Sequence, residues 1–88
     1  MFVSWGVETT RAYEREELQR KLSALEDPSY GTVLRAKGIV AGKDGAWLHF
    51  DYLPETVDVR TGSAGIIGRL CVIGSALDEA RLAALFEI

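Results

Sequence analysis

Two runs of alternating side chains meet at Gly42-Lys43-Asp44-Gly45, and no other feature of the chain restricts its fold as much. Asp-Gly tolerates the positive φ of a tight reversal, so the tetrapeptide predicts a hairpin turn. After the turn, Leu48, Phe50 and Tyr52 alternate with Trp47, His49 and Asp51, giving a strand from Ala46 to Tyr52 with one apolar and one mixed face. Before it, Val33 to Val40 reads as the partner strand. Leu34, Ala36 and Val40 are expected on its apolar face, and Arg35 and Lys37 on the other beside Val33 and Ile39.

The remaining segments arrange themselves around this hairpin. Val3, Trp5 and Val7 alternate with Phe2, Ser4 and Gly6, which predicts an opening strand. From about Glu14 strong helix formers follow, with Leu18, Leu22 and Leu25 on one stripe. Asp27-Pro28 ends that helix, because proline disfavours the α conformation in the residue before it. Beyond Leu53-Pro54-Glu55, Val57 and Val59 mark a short fourth strand near an edge of the sheet. A glycine-rich connection leads to Leu70 to Ile73, apolar on both sides and expected in the middle of the sheet. Asp78 is a good N-cap for a closing helix, with Leu77 and Leu82 as its hydrophobic staple and Leu82, Leu85 and Phe86 facing the core. With 88 residues there is room for one domain, residues 1–88. The expectation is an α+β fold: a mainly antiparallel sheet of four to five strands with two helices on one face, in the order β-α-β-β-β-β-α. Two helices on one face leave the other free for a partner.

Most chemical functions find no support in the residues. Gly62, Gly65 and Gly68 do not have phosphate-loop spacing, and they lead into a strand where a phosphate loop leads into a helix N-terminus. His49 and Asp51 lie two apart on one strand face, but two ligands are too few for a zinc site, so an exposed polar pair is expected. Glu14, Glu16 and Glu17 read as a solvated first helical turn, where negative charge suits the helix dipole. Cys71, the only cysteine, reads as a buried strand residue with no base beside it, which argues against nucleophilic catalysis and excludes an internal disulfide. A net charge of −3 supplies no general attraction to nucleic acid or anionic lipid. No apolar run approaches the roughly 20 residues that span a bilayer, and no secretory signal opens the chain. The expectation is a cytoplasmic, non-enzymatic protein that contacts neither nucleic acid nor membrane and has no catalytic, cofactor or metal residue of its own.

What remains is the mixed sheet face carrying Arg35, Lys37, Trp47 and His49. Arginine and tryptophan are favoured at protein interfaces because they combine a large contact area with a polar handle. These four residues are the candidate partner-binding face, with an ordinary solvated sheet face as the alternative.

Three stretches carry a family resemblance: Phe2-Val3-Ser4-Trp5, Val33-Leu34-Arg35-Ala36-Lys37-Gly38 and Gly68-Arg69-Leu70-Cys71-Val72-Ile73-Gly74, the last followed by Leu77-Asp78. In this order they resemble the C-terminal domain of CobW-type GTPases, and the likeness runs from Phe2 to Phe86. The resemblance implies a metallochaperone setting. In it a P-loop GTPase domain with a cysteine-rich motif delivers zinc, cobalt or related metals, in some members for cobalamin biosynthesis. The GTPase domain, its magnesium ligands and its metal motif have no counterpart here, so GTP, Mg and Zn or Co are expected only for a full-length parent. The implied role is an accessory protein-interaction domain whose partner is a CobW-like GTPase domain or a metalloprotein client. A small-ligand regulatory module is the alternative from a different class.

Overall fold

The computed structural model describes residues 1–88. The sheet is organised by the expected hairpin. Gly45 takes φ +92°, the Gly42 amide donates to the Ala46 carbonyl at 2.7 Å, and the Asp44 carboxylate accepts from the Ala46 amide at 3.0 Å. The turn locks β3 (Thr32–Gly42) antiparallel to β4 (Trp47–Leu53), with Val40 opposite Leu48, Gly38 opposite Phe50 and Ala36 opposite Tyr52. β5 (Thr56–Gly62) returns along the outer side of β4. β6 (Gly68–Ser75) crosses to the other side of β3, and β1 (Val3–Thr9) pairs antiparallel outside β6. The resulting order is β1-β6-β3-β4-β5.

The sequence pattern does not mark a sixth strand, the two-residue β2 (Ala12–Tyr13), which pairs parallel to Ala41 and Gly42 at the end of β3. The middle of the sheet is β3, with β6 beside it, because β1 takes only one edge of β6 and the β3–β4 hairpin occupies its other side.

Helix α1 (Arg15–Ser23) buries Leu18 and Leu22, and Leu25 follows them into the core from a 3₁₀ turn at Ala24–Glu26. A second 3₁₀ turn, Pro28–Tyr30, starts where Asp27 accepts from the Ser29 amide at 2.8 Å. Helix α2 (Glu79–Phe86) begins with Asp78 accepting from the Arg81 amide at 3.1 Å and buries Leu82 and Phe86 completely. Both helices lie on the sheet face that carries Trp5, Ala36, Val40, Leu48, Phe50, Tyr52, Val59, Leu70 and Val72, and one continuous core joins them. Burial of each such large side chain stabilises the fold by about 1.5–3 kcal/mol.

Two residues lie on the opposite face from the one their pattern predicts. Val33 pairs with Gly74 and Arg35 with Ile73, so Leu34 is an extra residue in a β-bulge. The bulge resets the alternation: Val33 is buried with Ala36, and Leu34 stands 36 % exposed. Cys71, expected to be buried, is half-buried because no helix covers its face of β6.

Candidate functional site

The uncovered sheet face is read directly from the strand register. Lys37 lies between Cys71 on β6 and Asp51 on β4, and Ile39 between Arg69 and His49. One strand further out, Gly6 faces Cys71 and Glu8 faces Arg69 on one side, and Arg60 faces His49 on the other. Gly6 has no side chain and Cys71 a short one, so these rows sink into a shallow groove of about 1120 Å³. Ile39 and Cys71 line its floor, and Ile66 and Ile67 stand at its flank.

The charges around the groove are mostly satisfied within the chain. Arg35 donates to Asp51 Oδ1 at 3.1 Å, and Arg60 donates to Asp51 Oδ2 at 3.3 Å and to Asp58 at 2.6 Å. The Arg35 hydrogen bond is the main cause that holds the Asp51 carboxyl below its usual range. Burial pushes upward by less than that bond pulls down, and the Arg60 hydrogen bond and both positive charges add to the lowering. Arg69 pairs with Glu8 at 3.1 Å. Of the four cations here, Lys37 alone has no carboxylate within ion-pair distance.

The glycine-rich connection after β5 folds down onto this face. A Cβ on Gly62 would lie 2.5 Å from the His49 ring, so its absence lets the imidazole lie over the strand, with Nε2 2.9 Å from the Ser63 carbonyl oxygen. Gly65 rests against Trp47, where a Cβ would stand 3.3 Å from the indole. The loop runs into β6 and not into a helix, so no row of free helical amides is aimed at a phosphate. No group of three or more His, Cys, Asp or Glu side chains converges anywhere in the fold. His49 and Asp51 share a face, but one is turned to Ser63 and the other to two arginines.

Of the four residues singled out in the sequence, Arg35, Lys37 and His49 line one groove, while Trp47 stands half-buried behind the loop and outside it. Reading from the sequence missed Arg60, Arg69 and Cys71. The signal for the last two was the alternation Gly68-Arg69-Leu70-Cys71, which sends Arg69 and Cys71 away from the face that buries Leu70.

A second charged cluster joins the segment after β1 and helix α1 to the end of α2. Arg11 lies 4.3 Å over the Tyr13 ring and donates to Glu17 at 2.7 Å and Glu87 at 3.2 Å. Lys21 donates to Glu87 at 2.7 Å and to the Leu85 carbonyl at 2.8 Å. Glu17, expected as a solvated first-turn acid, is thus partly buried between two cations, while Glu14 and Glu16 are exposed.

Comparison with known proteins gives these features a setting. The Zn(II)-bound YjiA GTPase from E. coli superposes with a TM-score of 0.76 at 24 % identity, and a Zn(II)-bound triple mutant of YjiA GTPase with 0.80 at 22 %. Each match covers 98 % of this chain and 29 % of the other, so the present chain spans less than a third of these structures, and at such identity they establish the fold alone. No curated protein sequence matches the chain. The family model described as "Cobalamin synthesis protein cobW C-terminal domain" matches residues 2–88, and the chain belongs to that family.

Proposed function

We propose that this domain is a non-catalytic accessory module that docks, through its uncovered sheet face, onto the GTPase domain of a CobW-like protein and serves metal delivery, with cobalamin synthesis as one destination. The observation that carries the reading is the groove itself, where Lys37 stands free of ion pairs beside the apolar Ile39 and Cys71, on the face that no helix of this chain covers. An apolar centre with a charged rim is the usual anatomy of a protein interface. The occupant is argued from the comparisons: the neighbours are named GTPases, and this chain corresponds to 29 % of each and carries no phosphate loop. Zn(II) in both neighbours, and cobalamin synthesis in the description of the family, support the metal context.

Charge reversal tests the reading. Lys37→Glu combined with Arg35→Glu, titrated calorimetrically against a CobW-like GTPase domain, is expected to weaken binding by about tenfold or more, since like charges brought together at an interface cost several kcal/mol. Both side chains are exposed, so the melting temperature serves as a check that the fold survives. Wild-type affinity in the double variant overturns the proposal.

A further inference from the structure

The two edges of the sheet are guarded very differently. On β5, the Arg15 guanidinium reaches from α1 and donates to the Val59 carbonyl at 2.6 Å, and Asp58 and Arg60 place charge along the strand. β1 is less protected: its single charge, Glu8, is paired with Arg69 of the adjacent β6, and no side chain donates to its backbone carbonyls. It runs in unbroken register from Val3 opposite Gly74 to Thr9 opposite Gly68, without a bulge, proline or lysine. Its backbone makes no hydrogen bond outside its ladder with β6, and Phe2 and Val3 stand 67 % and 43 % exposed at its start. A row of unpaired amides and carbonyls on a straight strand is a template for another extended strand.

We infer that β1 is a pairing edge and that a second copy of this chain occupies it, antiparallel, across a two-fold axis through Gly6. Self-complementarity identifies the occupant. Full overlap of the seven residues places Val3 opposite Thr9, Ser4 opposite Glu8, Trp5 opposite Val7, and Gly6 opposite itself. Glu8 is the only charge on the strand, and in this register it meets a serine hydroxyl and not its own copy. Trp5 and Val7 form an aromatic and β-branched cross-strand pair on the helix-covered side, a combination that stabilises antiparallel pairing. Gly6 leaves the axis open: a Cβ there would meet only the Leu70 carbonyl oxygen, 3.8 Å away. A shift of one residue reverses the pleat, and a shift of two shortens the ladder. The closed two-fold arrangement uses the same surface on both copies and leaves neither β1 edge exposed. It joins the two sheets into one, with both uncovered faces on the same side. This inference does not depend on what docks in the groove.

Sedimentation equilibrium of the 88-residue chain across a concentration series tests the idea together with two variants at the axis. The wild type is expected to double its mass as concentration rises. Gly6→Lys and Gly6→Asp each bring like charges face to face and are expected to weaken association by about tenfold or more. A one-to-one mixture of the two variants is expected to recover the dimer, because Lys then faces Asp. Independently of any variant, amide exchange along β1 in the wild type should slow as concentration rises. A wild type that keeps single-chain mass up to about millimolar concentration, variants that dimerise as well as the wild type, or a mixture that stays monomeric would each overturn the inference.

Discussion

At the scale of single residues, the cluster of Arg11, Glu17, Lys21 and Glu87 ties α1 and the segment before it to the residue that follows α2. Tyr13 adds to the same junction by donating its buried hydroxyl to the Phe86 carbonyl at 2.7 Å. Burial alone pushes the Glu17 carboxyl up. Hydrogen bonds from Arg11 and the Glu14 backbone, with the charges of Arg11 and Lys21, outweigh it and hold the group below its usual 4.5. Glu87 is held low chiefly by its hydrogen bond from Lys21. Both carboxyls bind protons more weakly folded than unfolded. Their contribution is therefore complete above the unfolded value near 4.5 and is lost as pH falls through the lower folded values. The melting temperature is expected to fall between pH 6 and pH 3. Glu17→Gln should cost about 1–3 kcal/mol at neutral pH and flatten that decline. A variant with wild-type stability and an unchanged pH slope would show the cluster to be inert. Glu17 also marks a limit of the sequence. It reads there like Glu14 and Glu16, although Lys21 four residues on is a helix partner the spacing records; what no local pattern records is the turn that brings Arg11 back onto it and the arrival of Glu87 on the same two cations.

At the scale of elements, alternation was legible where each strand has one covered face. Leu48, Phe50 and Tyr52 are all buried, and the Asp44-Gly45 reversal forms the expected hairpin. It misled where pairing shifts by one residue, because the bulge at Leu34 depends on how β6 registers against β3 and not on the residues of β3 alone. The same dependence explains Gly38, which closes the Leu34-Arg35-Ala36-Lys37-Gly38 stretch of the resemblance. A Cβ on Gly38 would overlap the Arg69 carbonyl oxygen and approach Phe50 Cζ to 2.8 Å, and Phe50 is fully packed and has no space to retreat. Gly38→Ala is expected to destabilise by about 1–3 kcal/mol, read as a lower urea midpoint. Gly6→Ala, whose Cβ would make only an ordinary 3.8 Å contact with the Leu70 carbonyl oxygen, is the control and, at concentrations where the chain is monomeric, should leave the midpoint near wild type. Equal effects at the two positions would remove the steric account of Gly38.

At the scale of the whole molecule, the strand order decides which parts of the proposed docking face are rigid. β3 is paired on both sides and lies over the core, and β6 and β4 flank it, so Lys37, Ile39, Cys71 and His49 stand on the three interior strands. Opening any of these requires breaking two ladders and exposing Val40, Phe50 or Val72, whereas β1 and β5 each lose only one. The loop at residues 63–67, which flanks the groove, belongs to no ladder and is held by the His49 contact and the Trp47 packing. A docking surface whose floor is fixed and whose flank is free can adjust to a partner without loss of the core. Native-state amide exchange at concentrations where the chain is monomeric should therefore rank β3, β6 and β4 slowest and near the global unfolding free energy. β5 is expected to follow, partly shielded by Arg15, then β1, with residues 63–67 fastest. If β1 exchanged as slowly as β3 in the monomer, its outer amides would already be satisfied within one chain, and the contrast drawn between the two sheet edges would be wrong.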